Sequence, residues 1–223
     1  MPALFIFFNS AVFLAPRVSM STAHLCIVRH GETDWNRHGI LQGWTDIPLN
    51  AHGRQQAHAL AAAWATTPFD AVWSSPLLRA HETAEIVATH LGLPPPRCHD
   101  GLKERCFGSV QGIPKSELAE TNPVLIQQIL KRNPATAFPE GEVMDVFADR
   151  VLHALREIGA HHPGRRVMVV THGWTLDAIL RHASGLPRHA ILDRKRKNCE
   201  CLWVQADARA VLPAPTFQSA WRT

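Results

Sequence analysis

The chain has 223 residues, 46% hydrophobic and 19% charged, with a formal net charge of +4. This length and balance fit a soluble globular α/β protein with a sizeable core. The positive excess is mild and forms no dense basic stripe interleaved with aromatics, which argues against a nucleic-acid groove and for small anions as partners.

The chain opens on MPALFIFFNSAVFLAP, a short apolar run with no basic segment before it and no clear small-residue cleavage site after it. It is too short, and too interrupted by Asn9 and Ser10, to span a membrane. We expect residues 1–19 to be a poorly ordered extension, with a signal peptide as the alternative. A single domain is expected over 20–223, Met20 being a natural start.

HLCIVRH (24–30) reads as a buried strand, an unbroken apolar run closed by Gly31. Asn50 can cap a helix near 51–66, with Ala57, Leu60, Ala61 and Trp64 at helical spacing. DAVWSS (70–75) is a short strand, and 77–91 a helix with Ala80, Ala84, Val87 and Leu91 on one face. Pro94-Pro95-Pro96 is a loop, followed by a strand near 96–99. Residues 114–133 read as a looped region with helical pieces. Val143, Phe147, Val151, Leu155 and Ile158 mark a long amphipathic helix. RVMVVTH (166–172) is a second fully apolar strand, WTLDAILRHAS the helix after it, and CLWVQA (201–206) a last strand. This β-α-β-α rhythm predicts a three-layer α/β sandwich, a mostly parallel sheet with helices on both faces. The five cysteines show neither a disulfide framework nor zinc-knuckle spacing, and Cys199-Glu200-Cys201 alone is a weak metal signal. A reduced, cytoplasmic location is the simpler reading.

Two strands end on nearly the same letters, LCIVRHG at 25–31 and VMVVTHG at 167–173. Parallel sheets bind ligands beyond the carboxyl ends of their strands. Inside a strand Arg29 and His30 would point to opposite faces, whereas a glycine at the strand end lets adjacent side chains share a pocket. If the two strands are neighbours, His30 and His172 converge. Two histidines and an arginine suit an oxyanion, phosphate above all. In SSPLLRAHETA (74–84) Arg79 lies just past a strand, at a helix start whose N–H groups also favour anions. The competing reading is plain: a histidine-glycine pair after a strand is common, and Arg79 could belong to a salt bridge.

These residues resemble the histidine phosphatase superfamily, with its phosphoglycerate-mutase-like fold. The likeness covers roughly residues 24–205 and rests on several motifs in order: RHGETDWN, LQGWTDIPLNAHGRQQA (41–57), SSPLLRAHETA, LKERCFGSVQG (102–112), PEGE (139–142) and VVTHG (169–173). It implies that His30 is the nucleophile, forming a phosphohistidine, with Arg29, Arg79 and His172 neutralising the phosphoryl oxygens. The physics agrees: the imidazole must be neutral to attack, and neighbouring arginines disfavour its protonated form. Glu104 matches the family's general acid/base, a group that must hold a proton near neutral pH; Glu32 is its rival and reads as a supporting residue. Glu104 beside Arg105 would otherwise read as a solvated surface pair. Asn36 matches a hydrogen-bond donor to substrate, with a structural role in the loop the alternative. Gln42 and Gly43 match a substrate-contacting loop, and Gly173 follows His172 into the pocket. Trp44 reads as a packing residue, Glu140-Gly141-Glu142 as a cap for the long helix, Asn198 as lining the pocket entrance, and Arg194-Lys195-Arg196-Lys197 as a solvated basic loop. The resemblance requires no metal or cofactor.

Hydrolases and mutases share this signature. The mutases carry a longer segment before the second histidine-glycine pair, with two arginines for the substrate carboxylate; here only residues 105–171 separate Glu104 from His172. Lys131-Arg132 could imitate that pair but falls in a short helical stretch expected to be exposed. A phosphoric monoester hydrolase of the histidine acid phosphatase type, acting on a small phosphorylated metabolite, is therefore expected. A 2,3-bisphosphoglycerate-dependent mutase comes second, and an inactive binding protein third, since the five expected catalytic positions are intact. The substrate and the oligomeric state stay open; the walls that choose the substrate come mostly from 111–140.

Overall fold

Leu25 and Ile27 pack into one core cluster, Cys26 and Val28 into another. A strand reads as a continuous apolar run when both faces are covered, because each face then needs its own buried set. In the computed structural model, which describes residues 22–192 and 195–214, this run is β1 (Ala23–Arg29). The expectations for residues 1–19 lie outside the described residues.

The same division recurs in β4 (Arg166–Thr171), where Val167 and Val169 face the first cluster and Met168 and Val170 the second. β2 (Ala71–Ser74), β3 (Arg97–Cys98), β5 (Cys201–Ala206) and β6 (Val211–Pro213) complete one sheet in the order β3-β2-β4-β1-β5-β6. β1 to β4 run parallel; β5 is antiparallel to β1, and β6 to β5.

α2 (Ala51–Ala63) and α3 (Leu78–His90) cover one face of the sheet; α6 (Met144–His161) and α7 (Gly173–Ala183) cover the other. Asn50 caps α2, its side-chain oxygen accepting from Gly53 N. Gly31 and Gly53 let two backbones touch: a Cβ on Gly31 would lie 2.5 Å from Gly53 O, and one on Gly53 2.0 Å from Glu32 O. The loop after β1 is thus pressed onto the first turn of α2. α4 (Lys115–Thr121) and α5 (Pro123–Leu130) are the helical pieces of the long looped region.

Several expectations are corrected. The loop after β1 holds a one-turn helix, α1 (Asp34–Arg37), which apolar periodicity is blind to at that length. Val143 precedes α6 and is exposed rather than core. Glu142 does not cap α6; its carboxylate grips the Arg150 guanidinium and accepts from Cys106 N. Glu104 and Arg105 are both buried, because Arg105 turns inward onto the carbonyls of Pro134, Thr136 and Glu142. Among the described residues no helix is long and apolar enough to cross a membrane.

Candidate active site

Parallel pairing sets the site. Arg29 is opposite Thr171, and His30 N donates to Thr171 O at 2.9 Å, so both chains leave the sheet at one level. The His30 and His172 rings stand 5.2 Å apart between centroids. β2 ends beside β4, with Ser75 N donating to Val170 O, and this brings Ser75 Oγ within 2.8 Å of His172 Nε2.

His30 Nδ1 lies 2.6 Å from Gly31 O. A carbonyl oxygen only accepts, so Nδ1 carries the proton and the neutral ring keeps its lone pair on Nε2. Burial, then the charges of Arg79 and Arg29, push the imidazole well below its ordinary range. His172 is pushed down likewise, by burial, then by Arg79, His30 and Arg29.

The two inner arginines are held by backbone. Arg29 donates from Nη1 to Arg196 O at 2.6 Å, and Arg79 donates to Gly43 O at 2.7 Å and Thr45 O at 3.0 Å. Burial is the largest influence on each and pulls it down to about 10. Gly43 has φ +55°, and a Cβ there would meet Gln111 Oε1 at 2.0 Å; only glycine offers its carbonyl to Arg79 from that turn. Thr83, on α3, accepts from Gly31 N and donates to Arg79 O, tying the loop after β1 to the helix that carries Arg79.

Glu104 is 8% exposed. Its carboxylate accepts from Arg105 N at 3.0 Å and from Trp174 N, in the first turn of α7, at 3.2 Å. Its carbonyl is held by Trp44 Nε1 and Arg150 Nη2. Glu32 turns away to Asn50 Nδ2.

His30, Arg29, Arg79, Glu104, Asn36, Gln42, Gly43 and Gly173 all line one pocket of about 140 Å³. His172 is fully buried behind it. Asn198 does not line it; its Nδ2 donates to His30 O and to Asn36 Oδ1, so it holds two lining residues in place. Asn36 also closes the cap of α1, its Oδ1 accepting from Thr33 N.

Buried polar atoms without partners are rare and mark where a ligand belongs. Arg29 Nε, Arg79 Nε, Gln42 Oε1, His172 Nδ1 and Arg132 Nη2 are five such atoms at or beside this pocket. Most are donors, which suits an anion.

Further residues belong to the site. Ser75 orients His172, and Lys115, Arg132, Trp174 and Lys195 line the pocket. Arg132 corrects the expected exposed stretch: its side chain is 13% exposed and ion-paired with buried Asp177. The basic run is corrected too, since Arg196 is buried, paired with Asp177 and Glu200. Trp44 is not among the residues lining the pocket; its ring lies against the side-chain cations of Lys103 and Arg150, and its Nε1 also donates to Glu104 O. Adjacent serines at the end of β2 were the one visible signal for Ser75.

The model of the histidine phosphatase superfamily (branch 1) matches residues 25–211. The chain belongs to that superfamily. The "Metal-independent phosphoserine phosphatase" of Arabidopsis thaliana is 39% identical over 165 residues, 73% of this chain and 69% of that protein. The "Probable phosphoglycerate mutase GpmB" of Yersinia enterocolitica is 32% identical over 176 residues, 78% of this chain and 80% of that one. The solved structure of Bacillus stearothermophilus YhfR superposes with a TM-score of 0.78 at 28% identity, covering 86% of this chain and 95% of its own. Superfamily relatives thus include phosphatases and mutases, and the chain shares their mixed α/β architecture.

Proposed function

We propose that this chain is a phosphomonoesterase that hydrolyses a small phosphorylated metabolite through a phosphohistidine on His30, without a metal. The carrying observation is the His30 ring: Nδ1 is committed to Gly31 O, which leaves the Nε2 lone pair at the floor of a cationic pocket. Nε2 attacks phosphorus as the ester P–O bond breaks. Glu104 delivers a proton to the leaving oxygen, giving the free alcohol. Water then attacks the phosphohistidine, Glu104 takes its proton, the P–N bond breaks, and inorganic phosphate leaves. Arg29, Arg79 and His172 stabilise the charge on the phosphoryl oxygens in both steps. The short segment between Glu104 and His172 supports hydrolysis over mutase chemistry.

The test is phosphate release from a panel of monoesters in EDTA, including p-nitrophenyl phosphate and 3-phosphoglycerate, by the wild type and by His30→Ala. Release that vanishes in the variant, with phosphate found on His30 by mass spectrometry after rapid quench, is expected. Interconversion of 3- and 2-phosphoglycerate on adding 2,3-bisphosphoglycerate, without net release, would replace the hydrolase by a mutase.

A further inference from the structure

Two more buried donors lie outside the catalytic pocket. Among the described residues, the remaining buried side-chain polar atoms without partners are Nη1 and Nη2 of Arg181. Arg181 stands in the last turn of α7 and is 2% exposed. Its Nε donates to Ala190 O at 2.7 Å, which fixes the plane of the guanidinium. Asp177, one turn earlier, attracts it, but the two Asp177 oxygens accept from Arg196 and Arg132. Burial lowers the Arg181 guanidinium from its ordinary value, and repulsion from Arg132 and Arg196 lowers it further. A buried cation whose terminal nitrogens meet no acceptor is costly unless a ligand supplies one.

Arg181 lines a cavity of about 50 Å³ between α6, α7 and the loop after α7, and this cavity shares no lining residue with the catalytic pocket. Ala148 and Leu152 of α6 and Ala178 of α7 give it buried aliphatic walls, and Leu186 of the loop is half-exposed. No acid lines it. Its other polar side chains are already engaged. Arg188 is exposed and paired with Asp145 and Asp149, and His182 Nε2 donates to Val211 O at 3.1 Å. The space thus joins aliphatic carbon to one unpaired guanidinium edge. Its side chains offer donors and almost no acceptors, which suits an anion better than water.

We propose that this cavity is a second binding site, for a small monocarboxylate with a short aliphatic chain, whose carboxylate pairs with the free edge of Arg181 and whose chain lies between α6 and α7. Three features select the class. A planar guanidinium fork matches a carboxylate through paired hydrogen bonds. Arg181 is a single cation, with Arg188 already neutralised, so a monoanion is balanced where the second charge of a phosphate would be buried unpaired. Aliphatic walls around so small a volume favour a body of a few carbons, each buried methylene adding affinity. The inference does not depend on the chemistry of the catalytic pocket.

Chemical-shift titration of the nitrogen-15-labelled full chain with acetate, propionate, butyrate and isovalerate, each beside its neutral amide, tests this. Butyrate and isovalerate should bind about tenfold or more tightly than their amides, as charge-assisted pairing predicts, and more tightly than acetate. The shifts should centre on the last turn of α7 and on Leu186. Excess orthophosphate should leave the butyrate affinity unchanged. In Arg181→Met the preference for acid over amide should fall toward one. Ala148→Leu, which fills the space and leaves Arg181 in place, should weaken butyrate about tenfold. Thermal melting checks both variants first, and if Arg181→Met does not fold, Ala148→Leu decides alone. A wild-type preference near one, butyrate binding that survives in the folded variants, or displacement of butyrate by orthophosphate would overturn the proposal; the last would place the carboxylate in the catalytic pocket.

Discussion

The floor and the wall of the pocket hold their cations by different means. On the floor, Arg29 and Arg79 are anchored to main-chain carbonyls of Arg196, Gly43 and Thr45. A carbonyl fixes a guanidinium in direction without cancelling its charge, which leaves that charge available to an anion in the pocket. On the wall, Arg132 is anchored by the carboxylate of Asp177, while Lys115 is half-buried and Lys195 exposed. The wall is therefore partly neutralised and open to solvent. On the proposed mechanism, the floor, where bonds break, holds its arginines rigid without carboxylate hydrogen-bond partners, whereas Arg132 on the wall is paired with Asp177.

The comparison can be broken first at the floor. His30→Ala should lower kcat by at least about 10³-fold on every ester, since the proposed nucleophile is removed; phosphate release in the steady state measures it. Glu104→Gln should cost about 10²–10⁴-fold on alkyl phosphates and distinctly less on p-nitrophenyl phosphate, whose leaving group needs no proton. Equal losses on both would remove Glu104 from the proton-transfer role. Arg150 braces the segment that carries Glu104, donating to the carbonyls of Gly101, Lys103 and Glu104 and to Glu142. Arg150→Met should lower denaturant stability by about 2–4 kcal/mol by removing the cationic partner of the Glu142 carboxylate and one donor from each of those carbonyls. Its kcat should fall more than its KM rises.

The smallest effect expected is on acid stability. Burial and the arginines depress His30 and His172 in the folded state, so below about pH 6.5 the unfolded chain takes up protons that the folded one refuses. The stability that these two groups contribute is present above that pH and is lost as pH falls toward their folded values. Melting temperatures between pH 7 and 5 should therefore fall, and fall less steeply in His30→Ala. An equal slope in both proteins would mean that His30 binds its proton equally well in the folded and unfolded chain, against the depression described here.

Much of the floor was legible because its signals are local. Two apolar runs that stop on histidine-glycine announce strands buried on both faces, and SSPLLRA places an arginine at a helix start after a strand. The resemblance added Glu104, which composition and periodicity alone would have left as half of a surface pair. Convergence needed one further fact: β1 and β4 are parallel neighbours in register, which no spacing along the chain encodes.

The wall was not legible, and the reason is physical. Lys115, Arg132 and Lys195 stand on α4, after α5 and in the loop before β5, segments whose polar side chains carry no periodic hydrophobic signal. An arginine after a short helix reads as solvated until packing supplies Asp177, Trp174 and the open side of Gly173 around it. Local chemistry, written in adjacent letters, determined the strands, their glycine ends and the set of groups able to handle phosphate. Tertiary packing alone decided which distant charges share their space, because burial and direction belong to the assembled chain rather than to any stretch of it.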